Sequence, residues 1–188
     1  MVPAADGYLR EQDLFGLRIE DVVFNTTATG GPTVAAYFGR VHRGESCKTG
    51  REQGVVFDEP LSYEILERRC TSCSLSPPIK KPSDKVFRIT STLYRRWWRW
   101  AACKVLGPDN KVGPPHSARH TGPSRDLTEQ YRSLETVMKR GRWKSLTAVQ
   151  RYAKPHAWYA CIASLPKEVL DRGNALLALR SPRPTKAV

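Results

Sequence analysis

The chain has 188 residues and a mass of 21.2 kDa, with 40% hydrophobic and 26% charged side chains. This is the composition of one globular domain that can bury a core without a disulfide or metal staple. No apolar run approaches the roughly 18 residues of a membrane span, and Met1 to Gly7 lacks the charged and apolar regions of a secretory signal. Lys and Arg number 31 against 18 Asp and Glu, a net charge of +13 and a pI near 9.9. Residues 1–75 hold 8 basic and 11 acidic side chains, whereas residues 76–188 hold 23 and 7. Positive charge gathered in one part of a chain indicates a polyanionic partner, nucleic acid foremost.

In chain order, residues 8–18 read as a helix in which Leu14, Leu17 and either Leu9 or Phe15 share an apolar face. Residues 33–42 and Val55-Val56-Phe57 carry β-branched and aromatic residues and read as strands. Between them, Gly44 to Gly54 is a polar, glycine-rich turn. Residues 76–84 hold three prolines and form a loop. A helix is expected from Ser91 to Leu106, capped by Thr90 or Ser91 and stopped at Gly107-Pro108. Its Tyr94-Arg95-Arg96-Trp97-Trp98-Arg99-Trp100 run places Leu93, Trp97 and Trp100 on one side, which is expected to face the core. Arg95, Arg96 and Arg99 are left for solvent or phosphate. After a loop from Pro108 to Pro115, helical segments are expected at about 116–129, 132–140 and 145–153. A last helix over 166–178 is expected, with Ser164 as its N-cap. Residues 180–188 form a basic, proline-rich tail expected to be disordered. The fold class is therefore mainly α with a small antiparallel sheet, an α+β domain over residues 1–179.

The five cysteines, Cys47, Cys70, Cys73, Cys103 and Cys161, are odd in number and scattered, which fits free thiols in a reducing, intracellular compartment. Cys70 and Cys73 have the spacing of half a zinc site. No second pair follows to complete four ligands, so no metal is expected.

Two phrases carry the chemistry. Pro115-His116-Ser117-Ala118-Arg119-His120-Thr121-Gly122 holds a His-x-x-Arg-His-Thr run. Gly141-Arg142-Trp143 follows, and Tyr152 stands nine residues after Trp143. Together they resemble the C-terminal half of the tyrosine recombinase, or phage integrase, catalytic domain. The N-terminal half has matching phrases. Leu9-Arg10-Glu11-Gln12-Asp13 stands where that family carries its first catalytic arginine, with Asp13 in place of the usual glutamate. Cys47-Lys48-Thr49-Gly50 stands where it carries a hairpin lysine, with Arg43 or Arg51 as substitutes. The resemblance covers about residues 7–165. Only nine residues precede Arg10, so it implies a partial catalytic domain without the family's separate core-binding domain.

The resemblance implies attack of the Tyr152 phenol on a DNA phosphodiester, leaving a 3′-phosphotyrosyl link that stores the bond energy. Arg10 and Arg119 would clamp the non-bridging oxygens, for which fork-shaped, permanently charged guanidiniums are suited. A phenol with a pKa near 10 needs a base or a cationic field, and His116 is the candidate base, with His120 structural. Lys48 would protonate the leaving 5′ oxygen, Trp143 would donate its indole N–H to a phosphate oxygen, and Asp13 would hold the Arg10 guanidinium. Arg142, Lys144 and Arg151 would join Arg95, Arg96 and Arg99 on DNA. No cofactor is expected. The implied partner is duplex DNA, with a homo-oligomer assembling on paired sites, no membrane contact, and a location in the nucleus or the bacterial nucleoid. The implied setting is an integrase-like mobile element. A non-catalytic DNA-binding remnant and a type IB topoisomerase-like relaxase are the alternatives.

Overall fold

α2 (Glu11–Gly16) lies within the helix that the sequence predicts over 8–18, and a short helix that it does not anticipate, α1 (Val2–Asp6), precedes it. The computed structural model describes residues 2–26, 32–45, 52–71, 81–107 and 113–178. The break between α1 and α2 falls at Tyr8, whose backbone is left-handed with φ 49°. A residue with a side chain holds that conformation when its surroundings over-determine it. The Tyr8 ring is fully buried, its hydroxyl donates to Asp126, and its carbonyl accepts from Arg119. α2 restarts the helix at once, because the Asp13 carboxylate accepts the Arg10 backbone N–H at 2.9 Å, satisfying an end donor from the third helical position. Leu9, Leu14 and Leu17 are buried, as their spacing predicts.

A 3-10 turn at Ile19–Asp21 leads into a three-stranded antiparallel sheet of β1 (Val22–Asn25), β2 (Thr33–Phe38) and β3 (Gln53–Phe57), in that order. Ala35 of β2 lies opposite Val23 on one side and Val56 on the other. Along β2, Val34, Ala36 and Phe38 point into the core with the period of two that a pleated strand imposes. The expected strand over 33–42 ends at Phe38. Gly39 turns left-handed there, φ 69°, and Val41–Arg43 forms a second 3-10 turn. α3 (Pro60–Thr71), which the sequence reading does not anticipate, lies against β2 and buries Leu66 completely.

α4 (Ser91–Leu106) has the predicted limits. The Thr90 hydroxyl accepts the Leu93 N–H at 3.3 Å, and Gly107, φ 91°, ends the helix. Its faces reverse the expectation. Leu93, Trp97 and Trp100 are exposed, while Tyr94 and Trp98 lean on the core. Tyr94 meets Phe15 edge-on at 5.4 Å, and the Trp98 indole donates to the Gly113 carbonyl at 2.7 Å. Both stripes satisfy helical spacing; the covered one is the stripe that reaches Phe15.

The chain then forms α5 (Ser117–Thr128), α6 (Leu134–Gly141), α7 (Leu146–Gln150), α8 (Pro155–Ala163) and α9 (Lys167–Ala178). α8 is a helix additional to those predicted. Ser164 belongs to its end, where the hydroxyl donates to the Cys161 carbonyl at 2.7 Å, and does not cap α9. α5 crosses α1 so closely that a Cβ on Gly122 would lie 2.0 Å from the Ala5 carbonyl oxygen, so only glycine fits. Beside the main core, a second one gathers Tyr8, Val137, Val149 and Tyr152. Cys103 and Cys161 are free thiols, while Cys47, Cys73 and the tail over 180–188 lie outside the described residues. Among the described residues no helix is long and apolar enough to cross a membrane. The architecture is mainly helical with one small antiparallel sheet, as expected.

Candidate active site

The Gly141-Arg142-Trp143 phrase is a helix ending. Arg142 is left-handed, φ 58°, with its N–H bonded to the Lys139 carbonyl at 3.1 Å, and the Trp143 N–H reaches the Met138 carbonyl at 3.1 Å. The reversal folds the Trp143 indole back over Gly141, where a Cβ would stand 1.5 Å from the ring. Glycine at 141 is thus required by tryptophan at 143. The indole lies 4.9 Å from the Arg119 guanidinium and 5.1 Å from the Tyr152 ring.

Arg119, buried on α5, donates to the Tyr8 carbonyl and, at 2.7 Å, to the Gly141 carbonyl. Carbonyls hold the fork in place and leave its charge uncancelled. Burial, followed by the like charges of Arg10 and Arg142, lowers its pKa to about 10, so it stays protonated at neutral pH. Arg10, half-buried at the start of α2, forms no ion pair among the described residues.

Two sequence expectations need correction here. Asp13 does not hold the Arg10 guanidinium. It bonds the Arg10 backbone and, at 2.7 Å, the Arg142 guanidinium. Arg142 is accordingly no outward DNA contact: its side chain is 4% exposed and lies over Phe38, with its charge matched by Asp13. Arginine on a basic phrase reads as surface. Only the left-handed turn at the helix end sends this one inward.

Tyr152 follows α7. Its ring belongs to the second core, and the residue lines a hollow of about 500 Å3 together with Arg10, His116, Arg119, His120, Trp143, Lys144 and Arg151. The hydroxyl stands 3.0 Å from His120 Nδ1. Burial raises the phenol pKa, against the pull of Arg119, Arg151 and Arg10 in the other direction. The histidine at the phenol is therefore His120, not His116. The exposed His116 ring stands edge-to-face on His120 at 4.8 Å. The four-residue spacing of the two histidines on one helix face could have signalled this pairing.

Lys144 and Arg151 line the hollow and are exposed; Arg95, Arg96 and Arg99 are exposed on α4. Arg95 lies 3.5 Å from Glu11, next in sequence to Arg10, which ties α4 to the Arg10 side of the hollow. Lys48 lies outside the described residues. Arg10, His116, Arg119, Trp143 and Tyr152 are brought together.

No protein-family model and no curated protein sequence matches the chain. Its backbone does match solved structures. Over 96% of this chain it superimposes on XerA recombinase with a TM-score of 0.56 at 17% identity. Over 85% it superimposes on the XerH site-specific recombinase, bound to its difH substrate before cleavage, with a TM-score of 0.54 at 16% identity. The fold is that of a tyrosine recombinase catalytic domain. The Tn1549 transposon integrase, in complex with a circular intermediate DNA, has the same recombinase fold, with a TM-score of 0.54 at 15% identity over 81% of this chain. The match covers 57%, 43% and 52% of those three chains, so this chain spans about half their length.

Proposed function

We propose that this protein breaks and rejoins duplex DNA by transesterification through Tyr152, in the manner of site-specific recombination or integration of a mobile element. The observation that carries the reading is the single hollow into which Tyr152 and two guanidiniums, Arg10 and Arg119, that have no carboxylate partner among the described residues converge. Attack by the phenol on phosphorus builds negative charge on the non-bridging oxygens. Preorganised donors that keep their charge stabilise that state without having to reorganise. The product is a 3′-phosphotyrosyl link, with Lys48 as the proposed acid for the departing 5′ oxygen. The recombinase fold and the DNA carried by XerH and the Tn1549 integrase support DNA as the partner. On this reading Arg95, Arg96, Arg99, Lys144 and Arg151 contact phosphates, and copies of the chain assemble on paired sites.

The test is a pool of nicked suicide duplexes of randomised sequence, incubated with the whole chain and resolved under denaturing conditions. Wild type is expected to form a covalent protein–DNA adduct, and Tyr152→Phe none. An adduct that survives Tyr152→Phe removes Tyr152 from the role. DNA binding by wild type without any adduct leaves a binding protein only.

A further inference from the structure

We infer that His120, rather than His116, takes the phenolic proton of Tyr152 during strand cleavage and returns it during rejoining. This deepens the cleavage reading above and rests on it. Two contacts between His120 and Tyr152 support the assignment. The His120 Nδ1 stands 3.0 Å from the Tyr152 hydroxyl, with the two rings roughly stacked at 5.3 Å. At that distance the Tyr152 hydroxyl can donate to the ring nitrogen. The proton transfer requires His120 as the Nε2–H tautomer, with the Nδ1 lone pair facing the phenol.

The proton balance is complete. The Tyr152 O–H bond breaks toward Nδ1 as the phenolic oxygen bonds to phosphorus. The P–O5′ bond breaks with its electron pair on the departing oxygen, which takes a proton from an ammonium or from water. Rejoining reverses each step: the 5′ hydroxyl attacks, the phenolate leaves, and the imidazolium gives its proton back.

The surroundings keep His120 ready to accept. His116 and Arg119 flank it on α5, Arg151 and Tyr152 face it from the end of α7, Trp143 adjoins Tyr152, and Arg10 adds charge from α2. Burial first, then His116, Arg119 and Arg151, lower the His120 pKa below its ordinary 6.5, so the ring is neutral at pH 7. As pH falls through that lowered value the ring protonates, loses its lone pair and can no longer accept. The acid limb of the cleavage profile therefore belongs to His120.

The experiment measures single-turnover adduct formation from pH 5 to 8.5 with the randomised suicide duplexes carrying a bridging 5′ phosphorothiolate, whose thiolate leaves without a proton. His120→Ala is expected to slow adduct formation at pH 7 on the order of 10²–10³-fold and to abolish the acid limb. The deficit should shrink as pH rises toward ionisation of the phenol. His120→Gln, which can still hydrogen-bond but cannot take a proton, should be equally slow. An adduct rate within about threefold of wild type in His120→Ala, or restored by His120→Gln, overturns the proton transfer while leaving Tyr152 as nucleophile. Absence of adduct with wild type overturns both. Independently of activity, nitrogen NMR of the folded protein should find the His120 proton on Nε2; a proton on Nδ1 at pH 7 contradicts the assignment.

Discussion

Two groups of arginines in this molecule meet opposite electrostatic fates. At the turn beyond β2, Arg43 bonds Glu20 at 2.6 Å, Asp21 at 2.8 Å and Glu45 at 3.0 Å, and Arg40 bonds Asp21 at 3.2 Å. Their charge is cancelled where it stands, and they pin the sheet to the segment before it. In the hollow, Arg119 is held as firmly, but by the carbonyls of Tyr8 and Gly141. Arg142 is matched by Asp13, and Arg10 has no carboxylate among the described residues. Backbone acceptors fix a guanidinium and leave its field available to a ligand, whereas carboxylates fix it and extinguish the field. The difference separates a stabilising cluster from a reactive one more clearly than the count of basic residues does.

The largest way to break this contrast is Arg119→Ala. It should lower adduct formation on the order of 10²–10³-fold or more, the usual cost of removing one preorganised donor. Adduct formation near the wild-type rate would detach the carbonyl-held charge from the chemistry. Next comes Asp13→Ala, which leaves the buried Arg142 charge unmatched. A loss of about 3 kcal/mol in denaturant unfolding is expected, together with slower cleavage as the turn carrying Trp143 loosens. Arg43→Ala sharpens the contrast from the other side. It should cost about 1 kcal/mol in stability and leave the single-turnover adduct rate unchanged, and a collapse in that rate would mean that the sheet cluster reaches the site. The smallest effect is expected on α4, where Arg96→Ala and Arg99→Ala should each flatten the salt dependence of duplex binding by roughly one unit in slope. Identical salt slopes for the variants and wild type would place that helix away from DNA.

The parts of this arrangement that are local in sequence were legible. Thr90 and Gly107 bracket α4, and the His-x-x-Arg run with Trp143 and Tyr152 at their spacing marks the hollow. What the sequence hid depends on distant partners. The left-handed Tyr8 that separates α1 from α2 exists because Asp126 and Arg119, more than a hundred residues away, hold it. Helical spacing offered two apolar stripes on α4, and only Phe15 decides which one is covered. The resemblance pairs Asp13 with Arg10, whereas Arg142, brought beside it by the turn after α6, is the one its carboxylate holds. The sequence does not show which histidine meets the phenol, because the contact that distinguishes His120 from His116 comes from Tyr152, on a separate helix turn.

The most direct measurement maps the covalent adduct. After incubation with suicide duplex, nuclease and protease digestion, mass spectrometry should find the residual nucleotide on the peptide containing Tyr152, and not on those containing Tyr94, Tyr131 or Tyr159. A nucleotide on any other tyrosine would contradict the account, because the carbonyl-held Arg119 and the free Arg10 would then frame a hydroxyl that takes no part.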